Sequence, residues 1–200
     1  MEELQINWRQ EKPDPSEFPE IWASIKLTPL HNWTKATEVL KEKISHTHCN
    51  GGIQLHKYKI EGNKQFDWFA TRNRLEEIEF VKYILRHKDL QNYRDDLEIS
   101  EDKPKFKLVK YWTDIYDLPG ELTRIMAHGG AYKKILPQLA WNVATEFVKE
   151  EFENRFEEFS TFKIAVDSAK WFHDIAWDYS ILLFDQRKYE LVFIDITDTD

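Results

Sequence analysis

The sequence predicts an α+β fold in which a mixed or antiparallel sheet packs against several helices. Three patterns support this prediction: a helical stripe of apolar residues near 137–159, two apolar runs that flank a polar turn at the C-terminus, and shorter helical and extended segments between turn residues. Hydrophobic residues make up 42% of the 200 residues, enough for a core. We therefore expect one globular domain over residues 1–200.

The N-terminal segment is rich in proline and tryptophan. Residues 1–33 contain four prolines and three tryptophans, so we expect an irregular arm that packs onto the domain. Ser16 is a candidate cap for one short helix within this arm. Thr34 is a suitable N-cap for the next helix, and the turn at residues 50–52 should end that helix.

The middle of the chain alternates between extended and helical patterns. Residues 53–60 and 65–69 are predicted to be strands because they lie on either side of a short turn. Asn73 is predicted to cap a further helix, and residues 106–112 are predicted to be a strand. Pro119 marks the start of another helix, which the following pair of glycines should end.

The strongest signals lie in the last third of the chain. Apolar residues repeat at helical spacing over 137–159 and predict a long amphipathic helix. Residues 179–184 and 191–196 are nearly continuous apolar runs around a polar turn, so we expect a central β-hairpin that is covered on both faces. The residues expected in the core are Phe147, Phe152, Phe156, Ile181, Leu183, Leu191 and Phe193.

Composition and motifs narrow the classes of function. The net charge of −8 disfavours nucleic acid as a partner, and Cys49 is the only cysteine, so an internal disulfide or a four-cysteine zinc site is excluded. The N-terminus has no apolar signal segment, and no run is long enough to span a membrane, so we expect a cytoplasmic protein. The six glycines form no nucleotide-binding motif, so no cofactor is expected.

Residues 46–49 read His-Thr-His-Cys and contain three side chains that bind zinc. They also lie just before a turn of two glycines. We favour a helix end here, where cationic histidines interact well with the helix dipole.

Asp178 and Asp195 are the clearest candidates for a catalytic or metal-binding pair. A four-residue turn at 185–188 would place them opposite each other, where two carboxylates share a proton or bind a cation such as Mg²⁺. A two-residue turn would instead place Ser180 opposite Asp195. Sequence does not choose between the two registers, but Asp195 lies on an apolar face of its strand and needs a partner.

The segment before the hairpin combines aromatic, acidic and imidazole groups. A short helix is predicted at 168–175, with Trp171 and Trp177 as candidate binding residues and His173 and Asp174 as candidates for proton transfer. Apolar rings beside Asp174 would raise its pKa, as in many general acids. The alternative, which we favour, is that the rings dock the segment on the sheet while His173 and Asp174 face water.

Two hypotheses for function follow. The first is a non-enzymatic binding protein, such as an acidic inhibitor or immunity-type partner of a basic protein, with Glu150, Glu153 and Glu157 on its binding face. The alternative is a metal-assisted hydrolase or nuclease built on Asp178 and Asp195. We favour the first, because the sequence contains no nucleotide, nucleophile or zinc motif.

Overall fold

The chain forms an α+β fold, as the sequence predicts. A computed structural model describes residues 6–94, 96, 106–109, 115–166, 171–173 and 175–200, giving only the backbone of 106–109 and 165–166. In these ranges helices pack on both faces of one six-stranded sheet. None of the helices there has both the length and the apolar character that a membrane span requires.

Local capping groups mark some of the helix ends. The α-helices are α1 (Phe18–Ser24), α2 (Lys35–Thr47), α3 (Lys64–Ala70), α4 (Phe80–Leu85), α5 (Lys88–Tyr93), α6 (Leu118–His128) and α7 (Pro137–Glu151). The Thr34 side chain accepts the N–H of Thr37 and caps α2, as predicted. Gly129, with φ of 78°, ends α6, also as predicted.

The sheet is antiparallel throughout and has the C-terminal hairpin at its centre. Its strands are β1 (Lys26–Leu30), β2 (Gly52–Glu61), β3 (Phe106–Val109), β4 (Phe159–Val166), β5 (Tyr179–Asp185) and β6 (Glu190–Thr197). The spatial order is β1-β2-β6-β5-β4-β3, so β5 and β6 are the two middle strands. The prediction of a central hairpin is confirmed.

The two faces of the sheet carry separate cores. On one face, hereafter the α7 face, Ile181 and Leu183 pack with Phe147 and Phe152. On the other, hereafter the α3 face, Leu191 and Phe193 pack against helices α3 and α4. The hairpin is therefore covered on both sides, as predicted.

Six of the seven residues predicted for the core are buried, including Leu191 and Phe193, while Phe156 is only partly buried. Alternate residues of a strand point to opposite faces, and Phe193 lies opposite Leu182 rather than Leu183. Phe193 therefore faces α3, away from the phenylalanine stripe of α7.

The long helix ends earlier than predicted. It stops at Glu151, because Glu153 and Asn154 adopt left-handed backbone conformations with φ of 55° and 59°. The chain then enters β4 at Phe159. The sequence did not predict the start of this strand, because the phenylalanines that precede it repeat at helical spacing.

Three further predictions of local structure need correction. The segment predicted as a strand at 65–69 is helix α3, because the Asn63 side chain accepts the N–H of Phe66. The N-terminal arm is not irregular over 15–30: it contains α1 and β1. Ser16 does not cap α1 but lies within a 3₁₀ turn, Pro15–Glu17, which Asp14 caps. Residues 171–173 and 175 are not helical, and the rest of the helix predicted at 168–175 lies outside the described residues.

Candidate functional site

A cavity opens where β1 ends beside β2. β1 pairs with β2 as far as Leu30, which lies opposite Lys57, and the chain then leaves the sheet toward α2. The cavity, hereafter the β2 cavity, has a volume of about 300 Å³ and is lined from both faces of the sheet. Its ring-bearing lining residues are His31, Trp33, His56, Tyr58 and Tyr93.

A buried ion pair supports the cavity wall on the α7 face. Lys57 of β2 binds Glu151 at the end of α7, and the two side chains are 5% and 2% exposed. The Lys57 ammonium also lies 4.4 Å from the ring centre of Trp33. Burial opposes ionisation of Glu151, but hydrogen bonds from Lys57 and Thr37 outweigh it and lower its pKa below 4.5. Glu151 is therefore ionised at neutral pH and fixes the loop that carries Trp33.

A second buried cluster lies behind the wall on the α3 face. Arg94, only 1% exposed, donates from Nη1 to Asp195 at 2.7 Å and from Nη2 to Asp96 at 2.5 Å. The other oxygen of Asp195 accepts the hydroxyl of Ser180 at 2.5 Å. Among these described residues, two carboxylates share one guanidinium, which leaves an excess of one negative charge. We call Arg94, Asp96, Asp195 and Ser180 the Arg94 cluster.

Neutral rings lie between the cavity and the Arg94 cluster. Burial, and then the positive charge of Arg94, lower the pKa of His56 below its usual 6.5. Burial raises the pKa of Tyr58 to about 12. At neutral pH both side chains are therefore uncharged. Tyr93, which is 49% exposed, presents its ring to solvent beside Tyr58, with the ring centres 6.0 Å apart.

This arrangement suits the binding of a cationic group. Aromatic faces attract ammonium and guanidinium ions, and the interaction strengthens where water is excluded. Behind the rings, the Arg94 cluster places two carboxylates and one guanidinium. The guanidinium of Arg94 is the charge that acts most strongly on His56 and Tyr58, and the two carboxylates oppose it. Lys57 adds no net charge to the cavity wall, because Glu151 neutralises it.

The predicted pair of carboxylates does not form. In the hairpin Ser180 lies opposite Asp195, and Asp185 lies opposite Glu190, so the turn consists of residues 186–189. Asp178 precedes β5 and does not face Asp195. Of the two registers left open, the one that would place Asp178 opposite Asp195 is therefore not formed. The register with Ser180 opposite Asp195 is found, with a four-residue turn in place of the two-residue turn expected for it.

The carboxylate of Asp185 explains this register. Both of its oxygens accept hydrogen bonds from Arg155, and its Oδ1 also accepts the backbone N–H groups of Arg187 and Lys188. Asp185 is thus held as the last residue of β5 rather than the first residue of the turn. The expectation that Asp195 needs a partner is met by Arg94 and Ser180.

Asp178 organises the turn before β5. One of its oxygens accepts the backbone N–H groups of His173 and Ile175, each at 3.0 Å, and the other accepts the hydroxyl of Thr197. These bonds satisfy the carboxylate within the fold.

Three of the other candidates near Asp178 lie within the described residues. The His173 side chain is exposed, and Trp171 and Trp177 are half-buried in the same turn. Asp174 lies outside the described residues. None of these described side chains lines the β2 cavity.

The three glutamates proposed as a binding face differ in their surroundings. Glu150 accepts the backbone N–H of Ala36 at 3.2 Å. Glu153 forms ion pairs with Lys188 at 2.7 Å and Arg155 at 3.4 Å, while Glu157 is exposed. Two of the three are thus engaged in contacts within the chain.

The residues at 46–49 end helix α2, as favoured. His48 caps the helix and is buried, and its Nδ1 lies 2.8 Å from the hydroxyl of Thr47. Across the described ranges, no three histidine, cysteine or carboxylate side chains are grouped so as to hold a metal ion.

Sequence reasoning missed the residues that build the β2 cavity. Arg94 is separated by 101 residues from Asp195 and Lys57 by 94 residues from Glu151, so no local pattern links either pair. One signal was present: Asp195 lies on an apolar face of its strand with Leu191 and Phe193, which indicates a buried charge in need of a partner.

Comparison with known proteins adds no functional information. No protein-family model matches the chain, and no curated protein matches it in sequence.

Proposed function

We propose that the protein is a non-enzymatic binding protein whose partner is a basic protein, and that the β2 cavity receives a cationic side chain of that partner. The observation that carries this proposal is the Arg94 cluster, in which one guanidinium serves two carboxylates behind an open aromatic wall. The net charge of −8 favours the same class of partner, because it steers basic proteins toward this chain.

The position of the charge explains how recognition would work. Asp195 is 2% exposed and already binds Arg94, so it is not accessible to a partner, whereas Asp96 is 17% exposed and keeps some access to solvent. A lysine or arginine that contacts Tyr93 would keep part of its hydration and gain a cation–π contact. Such contacts give selectivity for charge and a salt-dependent association rate.

A retention experiment with two matched tyrosine variants tests the proposal. The immobilised protein is incubated with native lysate at low salt, and retained proteins are eluted with salt and identified. Tyr93→Ala removes the exposed ring of the cavity, whereas Tyr132→Ala removes a ring that is 66% exposed in the loop between α6 and α7. We expect the wild type and the Tyr132 variant to retain the same basic proteins, and the Tyr93 variant to retain much less of them.

Two results would contradict the proposal. The first is retention of nothing, or of acidic proteins, by the wild type. The second is equal retention of the same basic proteins by the Tyr93 and Tyr132 variants. Circular dichroism of both variants checks that each is folded.

A further inference from the structure

Part of the outer edge of β2 has no strand beside it in the described part of the chain. β2 has ten residues, and β1 pairs with five of them, from Lys57 to Glu61. The first of the five β2 residues that do not pair with β1 is Gly52, whose φ of 106° is not that of a regular strand. The free edge is therefore residues 53–56, which extend about 14 Å at the usual rise per residue.

The direction of the backbone groups along this edge follows from one hydrogen bond. The N–H of Ile60 donates to the carbonyl of Tyr189 at 2.8 Å, on the side of β2 that faces β6. In an antiparallel strand, successive residues direct their N–H and C=O groups to opposite sides. Ile53 and Leu55 therefore direct both groups outward, past the end of β1.

The neighbouring edge of β1 is protected, in contrast to that of β2. The outward N–H of Leu27 is bound by the carboxylate of Asp89 at 3.0 Å, and Pro29 has no N–H to offer. Proteins protect their exposed edges because free strand edges pair with other chains. An edge left open beside an aromatic cavity is therefore a candidate binding surface.

The β2 cavity adjoins the free edge, because Leu55 and His56 of that edge line it. Trp33 and Leu55 belong to the α7 face, while Tyr58 and Tyr93 lie on the α3 face. A strand added along this edge would place successive side chains alternately on these two faces. Its apolar side chains would contact Trp33 and Leu55, and its basic side chains would contact the tyrosine rings.

The geometry points to β-strand addition: an extended, basic segment of the partner pairs with Ile53 and Leu55 and places a lysine or arginine over Tyr93. This inference rests on the proposed function and specifies the form of the partner. The negative excess of the Arg94 cluster selects a basic segment over a neutral or acidic one. Because the chain has a net charge of −8, the same negative charge disfavours a second copy of the chain as the segment that binds this edge.

Peptide binding to the full chain tests strand addition. The probe is a capped heptapeptide of alternating valine and threonine with a central arginine, titrated into ¹⁵N-labelled protein and followed by the amide resonances of Ile53 and Leu55. Two further peptides carry N-methyl groups on alternate residues, one on the odd-numbered and the other on the even-numbered residues. Only every second N–H group of an added strand faces the edge of β2. We therefore expect the peptide that is methylated at those groups to bind at least tenfold more weakly than the parent, and the other to bind within about threefold of it.

A charge control completes the design. Replacing the central arginine by glutamate should weaken binding at least fivefold at low salt and by less at high salt. Tyr93→Ala should reduce the difference between the arginine and glutamate peptides without removing the effect of N-methylation.

The outcomes separate this inference from the proposed function. Strand addition is overturned if no peptide binds, if both N-methylated forms bind equally, or if the protein dimerises through residues 53–56. In each case, selective retention of basic proteins through Tyr93 would still support the proposed function. Loss of that retention, with peptide binding intact, would overturn the proposed function, while peptide binding would still show that the edge of β2 accepts an added strand.

Discussion

Removing the charge of Glu151 should destabilise the protein strongly. In Glu151→Gln the buried ammonium of Lys57 loses its counter-ion, while the amide oxygen of glutamine still accepts the hydroxyl of Thr37, which donates to Glu151 at 2.6 Å. Breaking a buried ion pair by removing one partner costs about 3–5 kcal/mol. Because the bond from Thr37 is retained, we expect about 3 kcal/mol, or a fall in Tm of roughly 6–12 °C for a chain of this size.

A double variant separates the charge effect from a loss of packing. Lys57→Met with Glu151→Gln removes both charges and keeps a long apolar side chain against Trp33. We expect it to recover most of the lost stability and to lie within about 1.5 kcal/mol of the wild type, since neutral replacements of buried pairs are often well tolerated. Glu146→Gln is the surface control: Glu146 and Lys149 are 51% and 59% exposed, so it should cost less than about 0.5 kcal/mol.

Urea unfolding at pH 7, followed by tryptophan fluorescence, measures these free energies. The reasoning fails if Glu151→Gln costs less than about 1 kcal/mol, which would mean that Lys57 is hydrated rather than buried. It also fails if the double variant is as unstable as the single variant, because the loss would then not come from an unpaired charge.

Two further predictions concern the glycines and the histidines. A Cβ at Gly130 would lie 2.0 Å from an oxygen of the buried Asp198, so Gly130→Ala should lower the free energy of unfolding by about 1–3 kcal/mol. Gly120 lies in α6 with open space around it, so Gly120→Ala should raise the free energy of unfolding by up to about 1 kcal/mol. Urea unfolding of both variants checks this, and equal effects would contradict it. Burial lowers the pKa of His48 and of His56 below 6.5, so the unfolded chain takes up protons first and the free energy of unfolding should fall as pH decreases from 7 through their folded pKa values. Replacing both histidines by glutamine should reduce the fall between pH 7.5 and 5.5, and an unchanged pH dependence would show that neither imidazole contributes.

Local chemistry allowed part of this fold to be predicted. The apolar runs of the hairpin, the cap at Thr34 and the stop at Gly129 act within a few residues, and each is found where the sequence places it. Errors arose where a local pattern had two readings. The phenylalanines of 152–159 fit a helix by spacing, but the left-handed residues after Glu151 turn the chain into a strand.

The site could not be predicted from the sequence for a different reason. Its parts meet only through tertiary structure: Arg94 follows α5, Asp195 is in β6, and Trp33 precedes α2. The hairpin register that places Ser180 opposite Asp195 depends on Arg155, which lies 30 residues from Asp185. Only the general rule that a buried charge requires a partner pointed toward these contacts.

Amide hydrogen exchange in the unliganded protein tests directly whether the edge of β2 is open. Gln54 and His56 direct their N–H groups toward β6, while Ile53 and Leu55 direct theirs outward, so four neighbours in one strand provide their own control. We predict that Ile53 and Leu55 exchange on the order of 100-fold faster than Gln54 and His56. Equal, strong protection of all four amides would show that the edge is already occupied and would contradict a binding site there.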